Sequence, residues 1–101
     1  MNIEDMLENA SKAANLLKNL ANDKRLVILC ELLGGERSVG ELEKTVGLSQ
    51  SALSQHLAKL RHSHLVKTRL ESQVIFYSVA DPNVLRILSV LHDIYCAPNK
   101  A

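Results

Sequence analysis

The spacing of hydrophobic positions along the chain changes near Leu60. Before that point, apolar residues recur every three or four positions, which is typical of amphipathic helices. The first helix is predicted from roughly Ile3 to Leu20. Asn22 can cap a second helix, which Gly34 and Gly35 stop. Two further helices follow, so the first part of the chain is predicted to be entirely helical.

The third and fourth predicted helices are short and lie close together. The third begins at the run Ser38-Val39-Gly40-Glu41, which has the spacing of a capping box, and Gly47 ends it. Ser49 can cap the fourth helix, whose apolar positions extend to Leu60. A short helix, a tight glycine turn and a second helix form a helix-turn-helix, a motif that often binds DNA.

After Leu60 the pattern becomes that of strands. Apolar and basic residues alternate over positions 66–70, and positions 74–79 are rich in β-branched and aromatic residues. These two segments predict a hairpin, although its joint at 71–73 contains no glycine and its turn type stays open. Asp81-Pro82 then marks the start of a last helix. The expected fold is mainly α with a small β-hairpin, a winged helix-turn-helix of order α-α-α-α-β-β-α.

Length and composition fit a single domain covering residues 1–101. Of these residues 47% are hydrophobic and only 3% aromatic, so the core is expected to consist of Leu, Val, Ile and Ala. The chain has no basic amino-terminal region and no long apolar run, so neither a signal peptide nor a membrane span is predicted. We therefore expect a cytoplasmic protein whose two cysteines are kept reduced.

The charge is distributed unevenly. Residues 49–70 carry four basic residues and no acidic one, whereas both flanking segments are mildly acidic. Such a basic island indicates an anionic partner at that part of the chain. An ordinary solvated face would explain the charge alone equally well.

The basic island and the helix-turn-helix coincide, which favours DNA binding over a merely polar helix. The exposed side of the fourth helix carries short polar residues that can contact base edges and phosphates. Basic residues at its end and on the first strand could contact the DNA backbone. The candidate DNA-binding residues are Ser38, Ser49, Gln50, Ser51, Ser54, Gln55, His56, Lys59, Arg61, Lys67 and Arg69.

Three segments resemble the ArsR/SmtB family of bacterial repressors. They are LANDKRLVIL at 20–29, SVGEL at 38–42 and LSQSALSQHLAKLR at 48–61, and Phe76-Tyr77 fits as well. His64 departs from the pattern, because the family usually has glycine there, and the hairpin tip also lacks its usual glycine. The resemblance implies a winged-helix homodimer whose first and last helices form the interface. It also implies binding to an inverted-repeat operator in double-stranded DNA.

Many members of this family sense metals, but the ligands of the usual sites are missing. The third helix has Ser38-Val39-Gly40 where one site needs two thiols. The last helix offers Asp81, Asn83 and His92, too few for the roughly four ligands that Zn²⁺ prefers. His62 and His64 are more easily explained as solvated or DNA-facing. No metal site is therefore predicted.

The two cysteines resemble those of the dithiol branch of the family, which senses persulfide or sulfane sulfur. Cys30 lies in the second helix and Cys96 at the end of the last one. The resemblance implies that the two thiols approach each other within one subunit. Reactive sulfur species or another oxidant would then be the inducer and would control DNA affinity. A buried structural Cys30 and an incidental Cys96 remain the alternative.

No catalytic motif is present, so the chain is not expected to be an enzyme, and no cofactor is predicted. There is no phosphate-binding glycine loop, metalloprotease histidine pair or Gly-x-Ser-x-Gly. Two alternatives to a thiol-controlled repressor stay open. One is a repressor that responds to a metal or another ligand, and the other is a module that binds partner helices.

Overall fold

The computed structural model describes residues 2–96, which form five helices and three strands. Their order confirms the predicted winged helix-turn-helix, with one short strand added between the second and third helices. The elements are α1 (Ile3–Leu20), α2 (Asp23–Leu32), β1 (Arg37–Ser38), α3 (Val39–Val46), α4 (Gln50–His62), β2 (Val66–Glu71), β3 (Val74–Val79) and α5 (Pro82–Tyr95).

The helices begin where the sequence provides caps. The Asn22 side chain accepts hydrogen bonds from the backbone N–H groups of Lys24 and Arg25 at the start of α2. Ser38 and Glu41 form both hydrogen bonds of a capping box at the start of α3. These bonds occupy backbone donors that have no partner within a helix, which fixes the first turn of each helix.

The three strands form one antiparallel sheet in the order β1-β3-β2. The sequence did not predict β1, because two residues are too few to show an alternating pattern. Pairing with β3 defines this strand, placing Arg37 opposite Tyr77. At the tip of the β2–β3 hairpin, Ser72 and Gln73 both have positive φ, 50° and 67°. Positive φ at both central residues is the pattern of a type I′ turn, formed here without glycine.

The link from α4 to β2 is a Schellman motif. The backbone N–H of Leu65 donates to the carbonyl of Leu60, and that of His64 donates to the carbonyl of Arg61. His64 occupies the left-handed position of this motif, with φ 61°, where glycine is most common. This turn directs the chain from the end of α4 into the hairpin.

The core is aliphatic, as the composition predicts. Its fully buried side chains come from the inward faces of α2 to α5 and are mostly leucine: Ile28, Leu29, Leu42, Leu53, Leu57, Leu60, Val84 and Leu88. Because the leucines of α4 all point inward, its polar residues are held on the outside.

The first helix packs against this core only near its carboxyl end. Leu20 is its single buried residue, whereas Leu7 is 74% exposed. The Cα radius of gyration is 15.0 Å, compared with about 13 Å for a compact domain of this length. Across the part of the chain that the structure describes, no helix combines the length and apolarity needed to cross a membrane.

The outer side of α5 is also apolar and uncovered. It meets α1 along a shallow groove of about 1000 Å³, which Met6, Ala13, Ile87 and Val90 help to line. We call five of the exposed apolar residues of the two helices the α1/α5 surface; they are Ile3, Leu7, Leu17, Val90 and Ile94. A helix as long as α1 gains most of its stability from packing, and exposed apolar surfaces of this kind are typical of sites of protein–protein contact.

Candidate DNA interface and cysteine pair

The outward face of α4 presents a row of small polar side chains. Ser49 caps the helix through its hydroxyl, which accepts a hydrogen bond of 3.1 Å from the backbone N–H of Ala52. The residues that follow it on this face are exposed: Gln50, Ser51, Ser54 and Gln55. Because no acidic residue lies in the first turn, nothing there repels a phosphate.

His56 lies apart from this row. Its side chain is only partly exposed, and its buried Nδ1 atom has no hydrogen-bond partner. Burial lowers the pKa of His56, and the nearby charges of Arg25 and Lys59 lower it further. The imidazole is therefore neutral at neutral pH. Its position toward α2 distinguishes it from the exposed polar residues beside it in the sequence.

Ser38 is also already engaged. It is partly buried at the start of α3, and its hydroxyl accepts from the Glu41 backbone N–H at 3.2 Å. Its primary role in the fold is the capping box, whereas the sequence alone places it among the candidate DNA-binding residues.

The basic residues around the hairpin fall into two groups. Lys59, Arg61 and Lys67 are exposed, and no ion pair is found for them within residues 2–96. Arg69, in contrast, forms a two-pronged ion pair with Glu36, with Nε–Oε2 at 2.9 Å and Nη2–Oε1 at 2.6 Å. Its remaining Nη1 atom bonds to Glu71.

The Arg69 guanidinium also lies over the ring of Phe76, 4.8 Å from its centroid. Its hydrogen bonds to Glu36 lower the pKa of that carboxyl group, which therefore stays ionised. Arg69 thus ties the hairpin to the segment between α2 and β1. Sequence reasoning missed Glu36, because 33 positions separate the two residues and only folding brings them together.

The two cysteines both line one apolar cavity. Cys30 projects from α2 and Cys96 caps the carboxyl end of α5. Both are free thiols with exposed side chains. The cavity has a volume of about 200 Å³, and its other lining residues are Leu26, Leu88, Leu91, His92 and Tyr95.

The environment of Cys30 disfavours its thiolate. Burial raises the pKa of Cys30, and the charges of Cys96 and Glu31 raise it further. Since the thiolate is the attacking form, Cys30 reacts slowly at neutral pH and faster as the pH rises.

We expect Cys96→Ser to lower the pKa of Cys30, because it removes one of the charges that raise it. The pH at which Cys30 reaches half its maximal alkylation rate should therefore move to a lower value than in the unsubstituted protein. Iodoacetamide labelling with mass spectrometry of the Cys30 peptide measures this rate. Protein unfolded in urea supplies the profile of a solvated thiol. A profile that stays in place or moves to higher pH would contradict this electrostatic coupling.

Other chemistry is sparse in the described part of the chain. Within residues 2–96, no group of three or more His, Cys, Asp or Glu side chains is arranged to hold a metal ion.

A helix-turn-helix with an exposed polar second helix, followed by an antiparallel hairpin, defines a winged-helix DNA-binding protein. The sequence comparisons give the same class. Residues 22–68 match the model described as bacterial regulatory protein, arsR family. The chain belongs to this family and is a DNA-binding transcriptional regulator, not an enzyme.

Similarity to individual relatives extends over nearly the whole chain. The transcriptional activator HlyU of Vibrio cholerae is 51% identical over 99% of this chain and 93% of its own length. The structure of reduced HlyU from V. cholerae has a TM-score of 0.87 and covers 93% of this chain and 99% of that one. The structure of the transcriptional repressor BigR from Xylella fastidiosa is 43% identical in sequence and has a TM-score of 0.90. The match covers 96% of this chain and 99% of the BigR chain.

Proposed function

We propose that this regulator is a homodimeric repressor whose affinity for an inverted-repeat operator falls when Cys30 and Cys96 become bridged. The observation that carries the proposal is the shared cavity, because a thiol of α2 and a thiol at the end of α5 both line it. Helix α5 also contributes to the α1/α5 surface. A change at the cavity is therefore made on a helix that the proposed dimer uses.

The DNA part of the proposal rests on the outward face of α4 and the hairpin. In the major groove, the exposed side chains of Gln50, Ser54 and Gln55 would contact base edges, since amides and hydroxyls both donate and accept hydrogen bonds. The unpaired charges of Lys59 and Lys67 would contact phosphates. A bacterial regulator of this kind would act in the cytoplasm, where its DNA lies.

The dimer part rests on the α1/α5 surface. Large apolar side chains such as Leu7 and Ile94 are 74% and 64% exposed in the single chain. A second copy of the chain can cover them through a twofold axis, since the same surface then serves both subunits. Such a dimer would place two copies of α4 about 34–36 Å apart, in successive major grooves.

The thiol chemistry balances with a persulfide as the oxidant. One cysteine thiolate attacks the outer, sulfane sulfur of RSSH, forms a cysteine persulfide and releases the thiolate RS⁻. The second cysteine thiolate attacks the inner sulfur of that persulfide, forms the Cys30–Cys96 disulfide and releases HS⁻. The two thiols lose two electrons, and the sulfane sulfur is reduced to sulfide.

The roles proposed for α4 and the hairpin predict different effects for two substitutions. Gln50→Ala should weaken operator binding roughly tenfold or more and leave binding to random DNA unchanged, because a good base contact contributes about 1–3 kcal/mol. Lys67→Gln should weaken binding to the operator and to random DNA alike. It should also lower the slope of log affinity against log salt by about 0.9 for each phosphate that the protein no longer neutralises.

Fluorescence anisotropy with reduced protein measures the affinity for each DNA and its dependence on salt. The operator probe is an inverted repeat selected by the reduced protein from a pool of random duplexes, and the second probe is a scrambled duplex of equal length. Circular dichroism checks that both variants keep their helices. Equal losses on both probes for Gln50→Ala would show that this side chain does not read sequence.

A further inference from the structure

The carboxyl end of α1 is hydrogen-bonded to two other helices. The Ser63 hydroxyl, at the carboxyl cap of α4, donates a hydrogen bond of 3.2 Å to Oδ1 of Asn19 in α1. From the start of α2, Nε of Arg25 donates to the backbone carbonyl of Asn19 at 2.8 Å, and its Nη2 donates to that of Lys18 at 3.3 Å. We call Asn19, Arg25 and Ser63 the α1 joint, because they connect the end of α1 to α2 and α4.

The side chains of the α1 joint are held in defined orientations. The Asn19 amide uses both of its ends, since its Nδ2 donates to the backbone carbonyl of Asn15 at 3.0 Å while its Oδ1 accepts from Ser63. The Arg25 guanidinium lies at the carboxyl end of a helix, where the helix dipole attracts a cation. Asn19 and Ser63 are both half-buried, so water competes less for their hydrogen bond than it would at an exposed site.

The hydrogen bond between Asn19 and Ser63 is not needed to end either helix. Helix α1 ends through the backbone N–H of Ala21, which donates to carbonyls of its last turn. Helix α4 ends through the backbone N–H groups of Ser63 and His64. The bond between the two side chains is therefore purely a contact between helices, made by residues 44 positions apart.

The α1 joint lies between the two surfaces that the proposed repressor uses. Helix α1 carries part of the α1/α5 surface, and α4 carries the residues proposed to read bases. Helix α5 is anchored in the core by the fully buried Val84 and Leu88, whereas Leu20 is the single buried residue of α1. A subunit held to its partner through one helix could still rotate about that helix. A second attachment, such as the α1 joint, restricts where α4 points.

We propose that Asn19 and Ser63 are positioning residues that fix the two copies of α4 at the spacing of the operator half-sites. The inference rests on the proposed homodimer that binds an inverted repeat. Neither residue needs to touch DNA, because their hydrogen bond acts through the orientation of α4 relative to α1. One base pair more or less between the half-sites turns one of them by about a tenth of a turn relative to the other. Without the bond, the dimer should tolerate this change better.

The test compares the unsubstituted reduced protein with Asn19→Ala, Ser63→Ala and the double variant, and Ser63→Thr keeps the hydroxyl as the conservative control. Alanine has the highest helix propensity, so Asn19→Ala leaves α1 intact. One probe is the inverted repeat selected from random duplexes. Two derivatives have one base pair added or removed between the half-sites, and a further duplex carries a single half-site. Fluorescence anisotropy gives the affinities, and urea unfolding verifies that every variant is folded.

We expect each alanine variant to bind the selected operator about two- to tenfold more weakly, the factor that one hydrogen bond contributes to an equilibrium. Affinity for the two shifted operators and for the single half-site should change little, so the preference for the selected spacing falls. The double variant should lose no more than either single one, because both substitutions remove the same bond. Ser63→Thr should keep the preference of the unsubstituted protein.

An unchanged spacing preference in the alanine variants, or losses that add in the double variant, would overturn the role of the bond between Asn19 and Ser63. An equal loss on the single half-site would overturn it as well, because the substitutions would then act on base reading itself. If the unsubstituted protein binds all three spacings and the single half-site equally, the proposed dimer on an inverted repeat is contradicted, and the positioning role falls with it.

Discussion

Bridging Cys30 to Cys96 is expected to weaken operator binding by roughly tenfold or more, within the range of typical coupling between two sites of a protein. The bridge would connect α2 to the end of α5 across the apolar cavity. Since α5 also contributes to the α1/α5 surface, the bridge would alter the spacing of the two copies of α4. An operator with fixed half-site spacing binds the altered dimer less tightly.

The measurement is fluorescence anisotropy with the selected operator duplex, before and after treatment with glutathione persulfide. Intact-protein mass spectrometry of the same samples reports the mass of the bridge. Dithiothreitol should restore the affinity, because reduction returns both thiols.

Two single substitutions supply the control. Cys30→Ser and Cys96→Ser each remove one end of the bridge, so both variants should keep their affinity after the same treatment. If the bridge forms and affinity is unchanged, the cysteines do not control DNA binding. If affinity falls equally in the two variants, the effect comes from another modification.

Leu7→Glu is expected to convert the proposed dimer into monomers and to weaken operator binding by about a hundredfold or more, since linked binding at two sites gains a factor of about 10²–10⁴. Leu7 is 74% exposed in the single chain, so the substitution leaves the core of each subunit intact. In the dimer, the new carboxylate would be buried against apolar residues, which carries a large desolvation cost.

Leu70→Glu is the matched control for this experiment. Leu70 is 69% exposed, close to the value for Leu7, but it lies on β2 and not on the α1/α5 surface. Sedimentation equilibrium should show dimers for this variant and monomers for Leu7→Glu. Circular dichroism should show the same helix content in both.

If Leu7→Glu still forms dimers that are as stable as those of the unsubstituted protein, the contact between subunits lies elsewhere. A chain that is monomeric without any substitution would indicate that the α1/α5 surface binds a different protein. Operator binding should then show no dependence on this surface.

The sequence predicted the helices well because their ends are marked by local chemistry. The caps at Asn22, Ser38 and Asp81 all form, and Gly47 adopts the left-handed conformation that ends α3. The spacing of leucines in α4 correctly predicted its buried side, and therefore its exposed polar side. These features depend on residues within a few positions of each other.

Features that depend on distant residues could not be predicted. Strand β1 exists only through its pairing with β3, and the partner of Arg69 is 33 positions away. The inward position of His56 depends on α2, which supplies the neighbouring charge of Arg25. Periodicity within α4 alone could not distinguish His56 from the exposed residues beside it.

The cysteine pair falls between these two cases. The composition alone favoured a buried structural Cys30 and an incidental Cys96, and only the family resemblance implied that the two thiols approach each other. The structure brings both to one cavity, although 65 intervening residues separate them in the chain. Their place in the fold was therefore expected by analogy and not from local physical chemistry.

The attachment of Arg69 to Glu36 would preorganise the hairpin for the DNA contact proposed for it. The two hydrogen bonds to Glu36 restrict how far the hairpin can swing relative to the body of the subunit, while the contact with Phe76 braces β2 against β3 within the hairpin. Less conformational entropy is then lost when the hairpin docks, which favours binding without any further interaction with the DNA. Ionic strength consequently acts on this protein in two ways, because salt screens the phosphates and also loosens the ion pair that holds the hairpin in its binding position.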